Sequence, residues 1–321
     1  MNNNATLSIS LLLMALLTGC GSAPQRPAAV VEGERMLARG VQAYRNDDLL
    51  DAANFFTKAL AYHQGLDDAE GQLQSRINLT EVALAVGNLD AAQRHLAQAE
   101  LLATGPLAGY QPRLVLQRSS LALAQGDLET ARTLSERLLP EKLGGTGKNS
   151  ADTDSVHQAL INRSTVAFAS ADEQPAMWVA RLEKNSDGDS NASAWLERFR
   201  ARLAQRAGDQ ADASRHLQQA LTFCKAIPSR RCIAGTLEEW GALLQASGDL
   251  AGAEESYQRA LAVRLALLDR GGSSKTLRQL ADICHTTGRG ERAATLSGWA
   301  DSVATGSTID WNRLRGDTLP R

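Results

Sequence analysis

Aromatic residues make up only 4% of this 321-residue chain, prolines number 8, and no run of Val, Ile, Thr and aromatics alternates in the way that builds a strand. A sheet protein is excluded on that ground. Neither sign of charge dominates: 34 Lys and Arg stand against 36 Asp and Glu, interspersed through the chain, for a net charge of −2. A chain without a basic surplus cannot neutralise a phosphate backbone, so nucleic acid is not an expected partner. Also missing are a nucleophile elbow, an HExxH helix, paired-cysteine zinc spacing and a phosphate cradle. No enzyme, cofactor or metal is expected. Long apolar runs are lacking too. The run at residues 7–17 falls short of the roughly 20 residues a membrane-spanning helix needs.

What is present is Ala and Leu, the residues that lose least on entering a helix, within a hydrophobic content of 43%. They recur in register. Small residues and large ones return together as Gly40, Ala52, Phe56 and Ala59; as Gly87, Ala92, Leu96 and Ala99; and as Gly126, Ala131 and Leu138. The pattern comes back as Gly208, Ala213, Leu217 and Ala220, then Gly248, Ala253, Tyr257 and Ala260, then Gly288, Ala293 and Ala300. The alanines lie about 40 residues apart, and a degenerate unit with Ala176 as its pivot fits the gap between 131 and 213. Each unit reads as helix, tight turn, helix, with Gly or Asp at the turn. One hairpin cannot bury its apolar face alone, whereas stacked neighbours can. The expected fold is all-α: an α-solenoid of about seven helix-turn-helix repeats over residues 33–303, followed by a tail at 304–321.

Residues 237–260, LEEWGALLQASGDLAGAEESYQRA, resemble the tetratricopeptide repeat at Trp240-Gly241, Leu244, Gly248-Asp249, Ala253, Tyr257 and Ala260. The period near 40 departs from that family's 34. The resemblance implies first helices lining a long concave face that docks peptides and proteins.

The opening MNNNATLSISLLLMALLTGC has the apolar core of a secretory signal peptide, though its n-region carries no Lys or Arg. Leu17-Thr18-Gly19-Cys20 resembles the lipobox of bacterial lipoproteins. The resemblance implies removal of residues 1–19 and acylation of Cys20. Gly21 resembles the sorting pattern for the outer membrane, so a lipid-anchored, periplasm-facing location is expected. Residues 20–32 then read as the lipidated cysteine and a short tether. The function that follows is a scaffold or adaptor for envelope proteins or peptides in outer-membrane, pilus, secretin or peptidoglycan machinery. The alternative is a solute- or glycan-binding lipoprotein, which would need a closed pocket with several aromatics.

Several residues look like chemistry and are weighed against scaffold roles. His95 and His216 hold the same repeat position, so they read as scaffold, as do His63, His157 and His285 in other units. Residues 144–150, GGTGKNS, have Lys142 where a phosphate loop needs its first Gly and Asn149 where it needs Ser or Thr. In the stretch DGDSN at 187–191, Ala192 and Arg198 replace the Gly and Glu of a calcium loop. Both read as connections. Cys224 and Cys232 bracket KAIPSRR; in an oxidised compartment a bridge there, or three free thiols with Cys284, are both open. In ASAWLERFRARLAQRAGD, residues 192–209, Leu196, Phe199, Leu203 and Ala207 form an apolar stripe. Beside it Trp195, Arg198, Arg202 and Arg206 form a candidate partner-binding stripe for an acidic segment or terminal carboxylate. The alternative is a solvated face partly neutralised by Glu238.

The lipobox yields the first prediction. Wild-type protein is expected to incorporate metabolically supplied palmitate, and Cys20→Ala to abolish both that label and maturation, read by gel shift. An unlabelled wild type would remove the anchor.

Overall fold

Helix boundaries follow from local chemistry. At four of the turns inside hairpins a glycine in the left-handed region is followed by an Asp or Asn that caps the next helix. Gly87, Gly126, Gly208 and Gly248 have φ between 71° and 86°. Asn88, Asp127, Asp209 and Asp249 then accept the backbone N–H three residues on, at 3.2, 3.1, 2.9 and 2.9 Å. The computed structural model describes residues 27–139, 150–170, 173–186, 188–227, 229–305 and, beyond these, 314, 316 and 318. The leader at 1–19, Cys20, most of the tether and residues 144–149 lie outside the described residues.

The described helices are α1 (Ala28–Arg45), α2 (Leu49–Gly65), α3 (Ala69–Ala85), α4 (Leu89–Leu102), α5 (Gln111–Gln125), α6 (Leu128–Arg137) and α7 (Ser150–Ala169). They continue as α8 (Pro175–Asn185), α9 (Ser190–Arg206), α10 (Gln210–Ala226), α11 (Arg230–Ala246), α12 (Leu250–Ala266), α13 (Arg270–Thr286) and α14 (Gly290–Thr305). Consecutive helices pair into seven antiparallel hairpins, and no strand occurs among the described residues. No helix among the described residues is long and apolar enough to cross a membrane. The all-α solenoid expected from the repeat is what forms.

In four hairpins a small residue on the first helix faces the residue sixteen positions on. A Cβ on Gly40 would lie 2.4 Å from the Phe56 ring, and one on Gly241 would lie 2.7 Å from the Tyr257 ring. In the fifth hairpin the pair is Ala201 and Leu217; in the third it is Ser119 and Ser135, whose hydroxyls are hydrogen-bonded at 2.8 Å. As the inward residue shrinks, its neighbour grows, because interiors fill to constant density. This register corrects three sequence assignments. Ser135, not Leu138, faces the first helix in repeat three. Gly40 is a packing glycine rather than a turn glycine; the turn position of repeat one is Asp47, at φ 59°. In the degenerate unit Ala176 is exposed, and Trp178 stands at the pivot, buried.

Two ends differ from expectation as well. Helix α1 begins at Ala28, inside the segment read as tether, because Val30, Gly33 and Met36 already face the first hairpin. Leu314, in the expected tail, is fully buried against Ala300 and Val303 and closes the open end of the last repeat.

The largest correction concerns overall course. An extended stack was expected; instead the coil returns on itself after five repeats. The turn between α1 and α2 docks on the N-terminus of α11. Asp47, buried at 2% exposure, accepts from Arg231 Nε at 2.5 Å and from the Arg231 backbone N–H at 3.1 Å. Arg230 donates to the carbonyls of Asn46 and Asp47 at 3.1 and 3.0 Å and to Asp48 at 2.9 Å. One repeat further along, Arg270 N–H donates to Val86 O at 3.1 Å, and Gly87 lies against the Gly271 backbone. The pitch is the sum of small rotations at each interface, none of which a repeat pattern records.

A Cβ at position 241 tests the hairpin rule. Gly241→Ala is expected to cost about 1–3 kcal/mol by overpacking. Tyr257→Leu in the same chain should return part of it, reproducing the Ala201–Leu217 pairing, as a double-mutant cycle in urea would measure.

Candidate binding channel

The coil encloses a cavity of about 780 Å³, and all six of the helices that line it are first helices of their hairpins. Helices α3, α5 and α7 form most of its wall, while Tyr44 from α1, Trp195 from α9 and Arg231 from α11 complete it. The wall is mixed. Leu84, Leu116, Leu123 and Ile161 supply apolar surface; Arg113, Gln117 and Ser120 on α5 and Gln158, Asn162 and Thr165 on α7 supply polar groups at helical spacing.

These polar groups form a belt of two hydrogen-bonded sets, one between α3 and α5 and one between α5 and α7. Arg113 donates to Glu81 at 2.9 Å and to Asn78 at 3.0 Å. Gln117 Nε2 donates to the Ile77 carbonyl at 2.8 Å, while its Oε1 is buried and unpartnered among the described residues. Asn162 Nδ2 donates to the hydroxyls of Ser120 and Ser119 at 3.0 and 3.2 Å, and Gln158 Nε2 donates to Asn162 Oδ1 at 3.1 Å. Each amide is therefore oriented by its neighbour. Sequence reading missed this belt, although polar residues at 113, 117 and 120 beside the apolar Leu114 and Leu121 were a usable signal.

Of the four residues in the proposed stripe on α9, Trp195 alone lines the channel. Arg198 is buried at 7% exposure; its guanidinium covers the Trp195 ring at 4.0 Å and donates to Glu239 at 2.8 Å. Arg202 donates to the same carboxylate oxygen at 2.5 Å. Arg206 donates to the Phe168 carbonyl at 2.8 Å. The neutralising carboxylate is thus Glu239, not Glu238, which pairs instead with Arg264 at 2.9 Å. Helix periodicity brought both glutamates near, but only 239 faces α9. In the apolar stripe Leu196 and Phe199 are buried as expected, whereas Ala207 is the exposed C-cap and Ala204 is buried instead.

Each described histidine with a resolved partner serves a joint. His63 bonds to Asp68, the cap of α3, at 2.7 Å, and His216 bonds to Glu197 at 2.5 Å. His157 bonds to Asp189, the cap of α9, at 2.7 Å and to the Asn185 carbonyl. His95, half-buried, is held below its usual pKa by desolvation and by Arg76 and Arg94. Asp154, His157 and Asp189 do come close enough to share a cation. However, Asp189 already accepts from the Asn191 and Ala192 N–H groups and from His157, which makes it a helix cap. Cys224 and Cys232 are joined by a disulfide with a Cα separation of 5.4 Å, and Cys284 is a buried free thiol.

Burial alone would push the Glu239 carboxyl up; Arg198 and Arg202 outweigh it and hold it below the usual carboxylate value. A group depressed in the folded chain stabilises it above its unfolded pKa, about 4.3, and loses that contribution as pH falls through the folded value. Stability should therefore decline below about pH 4. Glu239→Gln should flatten part of that decline and cost about 3 kcal/mol at neutral pH by leaving Arg198 buried with a weaker partner. Urea midpoints between pH 3 and 7 read both effects.

No family model and no curated protein matches the chain. Among solved structures that match is the crystal structure of BtubC (BKLC) from P. vanneervenii, at 17% identity and a TM-score of 0.45, covering 72% of this chain and 93% of that one.

Proposed function

We propose that this protein is a binding scaffold that holds an extended segment of a partner protein in the channel of its coil, anchored at Cys20 to the periplasmic face of the bacterial outer membrane. The observation that carries the reading is the oriented amide belt of α5 and α7 facing the channel. An extended peptide presents N–H and C=O groups along its length that must be satisfied on leaving water. Asn162, itself fully engaged, holds Gln158, whose remaining amide hydrogen and oxygen suit a main chain whatever its side chains. The apolar wall and Trp195 would take alternate side chains. The anchor and tether keep this site near the membrane, where envelope proteins or their unfolded segments are the available partners, and nucleic acid is not.

A second reading, binding of a solute or glycan, draws support from the cavity itself. Its volume falls within the roughly 300–1,000 Å³ of small-ligand sites, and Tyr44 and Trp195 both line it.

Titration with pools of unstructured eight- to twelve-residue peptides, and separately with envelope glycans, separates the two. Peptides are expected to change Trp195 emission, identified by its loss in Trp195→Phe. Gln158→Leu should weaken the peptides about three- to tenfold, the worth of one or two hydrogen bonds. Response to glycans alone would select the second reading, and response to neither would sink both.

A further inference from the structure

The residues that close the coil lie inside the loop of the disulfide. Ser229, Arg230 and Arg231 make the described hydrogen bonds and ion pairs that reach the turn at 46–48 from outside its own hairpin, and all three fall between Cys224 and Cys232. Position 224 has equivalents in other repeats, eleven residues after each pivot alanine. At two of these the next first helix is tied by an ionisable pair, His63 to Asp68 and Arg264 to Asp269, both at 2.7 Å, while Ala103 holds the position in the second repeat. Two joints carry closure: the one beside Arg270, which meets Val86, is tied by the Arg264–Asp269 pair, whereas at the joint that carries the Asp47 clasp the tie is covalent. Arg231 and Tyr44, which meet at 3.1 Å, both line the channel, so the clasp and the channel wall share side chains.

We propose that the Cys224–Cys232 disulfide is a redox latch on the channel, and that its reduction by a dithiol releases the clasp and opens the coil. The Cys224 side chain is fully buried, whereas Cys232 is partly exposed on the first turn of α11. An attacking thiolate therefore reaches the Cys232 sulfur, forming a mixed disulfide and releasing the Cys224 thiolate, which takes up a proton. The second thiol of the reductant then displaces Cys232, which is protonated in turn, and the reductant leaves as a disulfide, two electrons and two protons having passed to the protein. Once freed, the residues at 225–231 regain the conformations that the closed loop denies them. The Arg231–Asp47 ion pair must then hold the coil with Asp47 still in the left-handed region, where a residue with a Cβ is disfavoured. Control of binding by this latch rests on the channel being the binding site; opening of the coil does not.

Hydrogen–deuterium exchange of the full mature chain, oxidised and after dithiothreitol, tests it. Reduction is expected to speed exchange about tenfold at residues 44–48, a segment far from the cysteines in sequence, while α4 stays unchanged. Arg231→Gln should produce the same acceleration in oxidised protein, and reduction should then add less than twofold. Faster exchange confined to 224–232, or a uniform rise across the chain, overturns the latch. If 44–48 opens on reduction while peptides bind neither form, the latch stands and the binding proposal fails. Wild-type protein reduced after folding serves even if Cys224→Ser with Cys232→Ser does not fold.

Discussion

Closure of the coil depends on a charged contact between residues 184 positions apart. Asp47 occupies a backbone conformation that glycine takes at the equivalent turns, at a cost of about 1 kcal/mol. Its side chain is buried against Arg231 and against the N-terminus of α11, where two donors and the helix dipole favour a carboxylate. A glycine there would relieve the backbone and lose the clasp. Because α1 and α11 meet through this contact, the first helices face one another around a cavity instead of lining an open groove.

The stack that precedes closure rests on a different principle, the matching of volumes within each hairpin. Gly against Phe or Tyr and Ala against Leu fill similar space, while Ser119 and Ser135 meet through a hydrogen bond instead. Charges fill gaps between hairpins. Glu239 draws together two arginines of α9, and Glu238 joins α11 to α12 and α13 through Arg264 and Thr276. The buried carboxylates thus act as cross-ties between repeats.

This division explains what was legible in the sequence. Hairpins were legible because pivot alanines and turn glycines are local and recur about every 40 residues. Trp178 hid one of them, since a large residue at the pivot breaks the pattern. Asp47 hid the clasp, for an aspartate at a turn looks like an ordinary cap. The pairing of Cys224 with Cys232 was one of two readings, since spacing does not fix a Cα separation. Beyond the polar spacing at 113, 117 and 120 the channel was not legible, because no single repeat records the curvature that turns the polar residues at 117, 158 and 162 toward one another.

The contact of Gly87 with Gly271 carries a consequence for descent. Most solenoids lengthen or shorten by whole repeats, because each unit touches only its neighbours. Here two backbones meet with no side chain between them, and a Cβ at 87 would lie 2.7 Å from the Gly271 nitrogen. Duplicating or deleting a unit between these glycines would move one past the other by a full hairpin and unmake both contacts. The ring has exchanged the modularity of a repeat protein for a fixed count.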